Sequence, residues 1–440
     1  MRKNSHGIIA VARRNPARAL FLKPSFVFLF LLSIMVSACS GGIASSNLPP
    51  SKANSQKVEH KQGGSHQGSP VASWVKPIPV GDRARVKLDI LDRVGPSVSY
   101  NLDQVPLGEL ASTVLISSAS ATDLTSALGA VVDGVGGIVL FGGVGPNNLA
   151  AQIAALSKLG GGILPPLFMS DSEGGAVQRL TNLVTNVVSP RQMASSLTLL
   201  QVEGLASEVG ISLASLGIGM DLAPVLDLDN RVGPSATNPD GSRSFSINPQ
   251  IASAYGLAFL RGLSDGGVYG VIKHFPGLGG ANANTDLAPA TTRSYASLKA
   301  GGLLPFEAAI ASGAKWVMVT NASVPGLSAR VPSTLSPKVM QYLLRGKLGF
   351  KGVVMTDSLE AGAIYSYQPD IAKAAVASLV AGADMVMVAG GGGAQPQIFS
   401  EVRAAIVYAI TAGQITRSQI ETSVGRILVA RGVPRSEIVY

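Results

Sequence analysis

Lys351-Gly-Val-Val-Met-Thr-Asp357 is the stretch on which the fold turns. Val353 to Thr356 run without polar alternation, as in a strand buried on both faces, and an acid follows at once. The same event recurs along the chain. We read strands at Thr113–Ser117, Gly137–Phe141, Pro166–Ser170, Met220–Leu226, Val268–His274, Trp316–Thr320, Gly352–Thr356 and Asp384–Val388. Amphipathic stretches such as Met193–Leu216 and Leu335–Leu348 fill the gaps, and beyond Val388 only helical patterns follow, ending in Ile420–Arg431. Eight strand-then-helix units predict an α/β protein with a TIM-type (β/α)8 barrel as its single folded domain, over residues 85–435. An open, doubly wound sheet is the alternative. No Gly-x-Gly-x-x-Gly motif follows the first strand, which speaks against a dinucleotide fold.

Composition agrees with a large core. The chain has 440 residues, 46% of them hydrophobic, 51 glycines, and only 14% charged residues, which excludes global disorder. One cysteine excludes a disulfide scaffold. The net charge of +9 is misleading, because residues 1–38 hold six basic residues and no acid. Without them 29 basic residues face 26 acidic ones, so a nucleic-acid partner is not expected.

The basic start leads into Ser25-Phe-Val-Phe-Leu-Phe-Leu-Leu-Ser-Ile-Met35 and then Val36-Ser-Ala-Cys39. The apolar run is short for a membrane span and suits a signal peptide over residues 1–38. The small residues before Cys39 resemble a bacterial lipobox. That resemblance implies lipidation at Cys39 and a protein anchored to the cell membrane on its extracytoplasmic face. An uncleaved anchor helix is the alternative. Residues 39–84 are rich in Ser, Gly, Gln, Lys and Pro and read as a flexible tether. His60 and His66 lie in it.

In a barrel of this type, functional residues gather where strands end. Here Asp171 and Glu173 follow the third strand, Asp227 the fourth, Asn321 the sixth and Asp357 the seventh, while Lys273-His274 closes the fifth. A single Asp in such a place also serves as a helix N-cap. The set as a whole suits glycoside hydrolysis, in which one carboxylate attacks the sugar and an acid protonates the leaving oxygen. Arg, Lys and His can donate to sugar hydroxyls. A Ser-His-Asp triad would have His274 as its only base, but no Gly-x-Ser-x-Gly elbow is present. Four histidines leave little room for a histidine-rich metal site, and nothing in the sequence requires a metal or an organic cofactor.

Four motifs in order carry a closer resemblance: Asp171-Ser-Glu-Gly-Gly-Ala-Val-Gln-Arg179, Gly241-Ser-Arg-Ser-Phe-Ser246, Lys273-His-Phe-Pro-Gly-Leu-Gly279 and Val354-Met-Thr-Asp-Ser-Leu359. Ala223-Pro-Val-Leu-Asp227 and Ala381-Gly-Ala-Asp384 add weaker agreement. Together they resemble glycoside hydrolase family 3, in particular its single-domain bacterial β-N-acetylglucosaminidases that act on peptidoglycan fragments. The resemblance implies that Asp357 is the nucleophile of a covalent glycosyl-enzyme. It implies that Asp171, Arg179, Arg243, Lys273 and His274 hold the sugar. Cations near Asp357 would help keep it ionised. The role of Glu173 stays open between a sugar contact and a structural one.

One departure matters. The family members of this type carry an Asp-x-His pair as general acid/base on the loop after Lys-His-Phe-Pro-Gly. Counted without gaps, those positions are Asn284 and Asp286, and no other histidine lies in the domain. Asp286 is the candidate replacement acid, oriented by Asn284; a loop Asp otherwise serves as a turn former. The expectation is an exo-acting, retaining β-N-acetylhexosaminidase that hydrolyses GlcNAc-containing glycans. A β-glucosidase-like relative and a non-catalytic glycan-binding lipoprotein are the alternatives.

Overall fold

The computed structural model describes residues 99–389 and 396–440. The expected signal peptide, Cys39 and the expected tether lie outside the described residues. Among those described, no helix is long and apolar enough to cross a membrane.

Nine parallel strands make the eight staves of a TIM-type barrel. They are β1 (Leu115–Ser120), β2 (Gly137–Phe141), β3 (Leu167–Ser170), β4 (Met220–Asp221), β5 (Tyr269–Gly270), β6 (Ile272–Phe275), β7 (Trp316–Val319), β8 (Val353–Thr356) and β9 (Val386–Met387). The β5 and β6 strands are two pieces of one stave, interrupted at Val271. Register runs Ile116 beside Gly137, Gly137 beside Leu167, Met169 beside Met220 and Met220 beside Tyr269. On the other side Val317 pairs with Ile272 and Trp316 with Val353, and Val386 pairs with Leu115. Single bridges join the two arcs, Val225 with Lys273 and Met355 with Met385.

All eight expected strands are present, with shifted ends. The first starts at Leu115, because Leu107–Thr113 is a helix whose Thr113 hydroxyl bonds back to Glu109 O at 2.9 Å. The fourth is regular only over Met220–Asp221, since Pro224 has no N–H to give a ladder. The expected helix Met193–Leu216 is two helices, Pro190–Ser196 and Leu199–Ser215. Thr198 divides them: its hydroxyl caps the second helix, and the Gln201 side chain returns a bond to the Thr198 N–H.

The helices cover the staves and one hydrophobic core fills the barrel. Close approach decides where glycine is needed. Helix Leu199–Ser215 packs on Pro249–Asp265 through Gly210, where a Cβ would lie 2.9 Å from the Gly266 Cα. The short strands Tyr100–Asn101 and Ile438–Val439 pair in parallel and bring the two ends of the described chain together.

Candidate active site

A cavity of about 620 Å³ opens at the ends of the strands. Asp171, Arg179, Arg243, Lys273, His274, Asp286 and Asp357 all line it, whereas Glu173, Asp227 and Asn321 do not. Asp171 comes from the end of β3, and Arg179 from just after the hairpin Ser172–Gly174/Val177–Gln178. Arg243 ends the single turn Gly241–Arg243, Lys273 and His274 lie within β6, and Asp357 follows β8. Asp286 reaches the cavity from the loop after β6. Met318 on β7 and Met387 on β9 give the cavity an apolar lining.

Glu173 organises the cations. Its carboxylate takes two bonds from Arg243, Nε and Nη2 both at 2.7 Å, and lies 2.6 Å from Lys273 Nζ. Lys273 Nζ also donates to Asp171 Oδ1 at 2.9 Å. Glu173, Lys273 and His274 are buried. Burial alone would raise the Glu173 carboxyl, but Arg243 and Lys273 outweigh it and hold the group well below the usual carboxylate range. The question left open by the sequence is thus answered geometrically: Glu173 is the buried counter-ion of the two cations. The sequence signal was its place two residues beyond Asp171.

His274 is held at both nitrogens. Asp227 Oδ2 lies 2.6 Å from Nδ1 and also accepts the His274 main-chain N–H at 3.1 Å, while Asp227 Oδ1 accepts from Leu278 N–H at 2.6 Å. On the other side Arg243 Nη2 stands 3.3 Å from Nε2. A guanidinium only donates, so Nε2 accepts and Nδ1 carries the proton. Burial, with Arg243 and Lys273 nearby, pushes the imidazole down to about 4, so the ring is neutral at neutral pH.

Two further buried acids complete the surroundings. Asp221, at the end of β4, accepts the Ser172 N–H at 2.8 Å, and its other oxygen has no partner among the described residues. Asp240 precedes the Gly241 turn, and neither of its carboxyl oxygens has such a partner. Burial pushes both up to about 8. Nothing in the spacing of the sequence marked either one.

Asp357 sits apart from the ion pairs. Its Oδ1 accepts the Ser358 N–H at 2.7 Å. Burial comes first among the influences on it and the Asp286 charge adds to it, so the carboxyl is raised; the Lys273 charge helps towards the ionised form, as expected, without outweighing them. Asn321, expected at a strand end, does not line this cavity. It holds the loop after Asp357 instead, donating from Nδ2 to Ser358 O at 2.6 Å while its Oδ1 accepts from Thr334 at 2.8 Å.

The Asp286 loop is pinned. Asn284 N–H donates to Ala236 O at 3.0 Å, and Asn284 Oδ1 accepts the Asp286 main-chain N–H at 3.0 Å. Asn284 therefore orients the backbone of Asp286, not its carboxyl as the sequence suggested. Gly279, at the end of the Lys273-His-Phe-Pro-Gly-Leu-Gly motif, passes so close to the Leu228 carbonyl that no Cβ fits.

A parallel barrel with a carboxylate after one strand, a second carboxylate facing the same cavity, and cations from β6 and from the segments after β3 and β4 defines a glycosidase class of site. The comparisons identify it. The glycosyl hydrolase family 3 N-terminal domain matches residues 113–430, and the chain belongs to that family; it is a glycoside hydrolase. It is 32% identical over 306 residues to the β-hexosaminidase LpqI of Mycobacterium tuberculosis, covering 68% of this chain and 76% of that one. It is 34% identical over 271 residues to a β-hexosaminidase of Stenotrophomonas maltophilia, covering 58% and 76%. The solved structure of M. tuberculosis LpqI superposes with a TM-score of 0.68 at 30% identity, covering 75% of this chain and 95% of the other. A family 3 β-N-acetylglucosaminidase from Paenibacillus sp. str. FPU-7 gives 0.68 and 30%, over 76% of this chain and 63% of its own.

Proposed function

We propose that the protein is an exo-acting, retaining β-N-acetylhexosaminidase that removes terminal β-linked N-acetylglucosamine from peptidoglycan-type fragments. One observation carries the reading: Asp357 and Asp286 face one cavity together with Asp171, Arg179, Arg243, Lys273 and His274. The names of the relatives support the acetylhexosamine as the sugar. In this reading Asp357 attacks the anomeric carbon while Asp286 gives its proton to the leaving oxygen. The glycosyl-Asp357 ester is then opened by water, from which Asp286 takes back a proton. Lys273, Arg243 and Asp171 hold the sugar hydroxyls. His274, bonded at both nitrogens, acts by fixing Arg243.

An ionised Asp286 repels anionic acceptors, so water and not phosphate opens the ester. The place of action is outside the cytoplasm, with the protein lipid-anchored at Cys39; a relative from Arthroderma benhamiae named as a secreted glycosyl hydrolase supports the exported setting.

The test is hydrolysis of 4-nitrophenyl β-N-acetylglucosaminide beside the β-glucoside, with Asp357→Asn as control. Activity on the first, lost in the variant, is expected. Activity on the glucoside alone would move the reading to a β-glucosidase. GlcNAc binding without turnover of either would leave a glycan-binding protein, and release of sugar 1-phosphate in phosphate buffer would refute hydrolysis as the second step.

A further inference from the structure

Glu360 faces the same cavity, from the loop that follows β8, and no step above uses it. That loop is joined to the Asp286 loop: Gly362 N–H donates to Asp286 O at 2.9 Å, and Ala363 N–H to Thr285 O at 3.0 Å. Asp286 and Glu360 thus belong to one wall. Among the described residues, both enter hydrogen bonds only through main-chain atoms. Two cations of the cavity are paired with acids: Lys273 lies on Asp171 and Glu173, and Arg243 lies on Glu173. Arg179 stands over the Phe141 ring at 5.6 Å, and its Nε has no hydrogen-bond partner among the described residues. These cations come from the elements at and after β3, β4 and β6, and none of them forms an ion pair with Glu360.

We propose that Glu360 selects the leaving group: it receives an ammonium on the departing residue, so the preferred substrate is a terminal β-N-acetylglucosaminide whose leaving sugar carries a free 2-amine. This rests on the hexosaminidase reading, in which Asp286 stands at the glycosidic oxygen and its wall therefore faces the leaving side. Partial burial raises the Glu360 carboxyl, as suits an acid whose counter-ion arrives with the substrate. Among wall and chitin-type glycans the selection favours de-N-acetylated residues on the leaving side.

The experiment compares kcat/KM for GlcNAc-β-1,4-glucosamine and GlcNAc-β-1,4-GlcNAc, in wild type and Glu360→Gln, below the pKa of the sugar amine. A preference of about tenfold for the amine is expected in wild type, worth roughly 1.4 kcal/mol. It should reside mainly in KM, shrink as ionic strength rises, and fall towards unity in Glu360→Gln. The salt series needs no variant and stands if Glu360→Gln fails to fold. Equal rates for the two disaccharides in wild type, or a preference unchanged in the variant, would overturn the proposal while leaving the hexosaminidase reading intact. Failure of wild type on both disaccharides and on the aryl N-acetylglucosaminide would bring down both.

Discussion

Asp286→Ala is the sharpest change at the scale of a single residue. A natural leaving sugar needs its oxygen protonated, whereas an activated aryl group departs as an anion. The variant should lose about 10²–10⁴-fold on disaccharides and keep most of its first-step rate on a 4-nitrophenyl glycoside; equal losses on both would remove Asp286 from the acid role. Because Asp357 is raised by burial, the acidic limb of its pH–rate profile should lie above that of a solvated carboxylate. A second prediction concerns stability. Asp221 and Asp240, raised from 3.8 to about 8, favour the folded state most when protonated, and their contribution is lost as pH climbs from about 4 through 8. His274, lowered from 6.5 to about 4, works the other way and adds stability as pH rises through that interval. Asp227, raised by burial to about 7, acts with these two acids, so three groups outweigh one, and above 6.5 the acids act without opposition from His274. On these groups the melting temperature should fall from weakly acidic to weakly alkaline pH, most steeply between 6.5 and 8. Asp240→Asn should flatten that fall, and an unchanged slope would contradict the assignment.

The loops at the strand ends carry the design at the scale of elements. Gly279→Ala forces a methyl into the Leu228 carbonyl, so the loop that presents Asp286 has to move. The expected result is a large drop in turnover together with a lower melting temperature. Glu173→Gln removes the charge shared by Arg243 and Lys273. Leaving buried cations uncompensated costs on the order of 3–5 kcal/mol, readable in urea unfolding. At this scale the sequence was legible where burial is two-sided. The runs at Gly137–Phe141 and Gly352–Thr356 announce themselves, because a strand covered on both faces has no polar residue to interrupt it. The run at Met220–Leu226 misled, since a proline keeps its apolar character while withdrawing the N–H a ladder needs. Within the site, residues marked by motif were found. Asp240 and Glu360 were not, because what distinguishes each is the partner it lacks, which is a property of the packed chain.

Asp384 ties the closing seam at the scale of the whole barrel. It accepts the Val354 N–H of β8 at 2.8 Å, the Ser423 hydroxyl at 3.0 Å and Arg426 at 2.8 Å, and it also binds Arg345. One buried carboxylate thus connects β8, the helix Lys338–Lys347 and the helix Arg417–Ala430, beside the bridge of Met355 with Met385. Asp384→Ala should cost on the order of 3–5 kcal/mol and lower the melting temperature without altering the pH dependence of turnover; an unchanged melting temperature would show that the seam closes without it.

The methionine lining carries a different exposure. Met318 and Met387 line the cavity, and the single cysteine of the chain lies far outside the motifs of the barrel. Peroxide arriving with solvent would convert a methionine thioether into a polar sulfoxide in the cavity wall. Damage of that kind leaves every acid and base in place, and reduction of the sulfoxide would undo it.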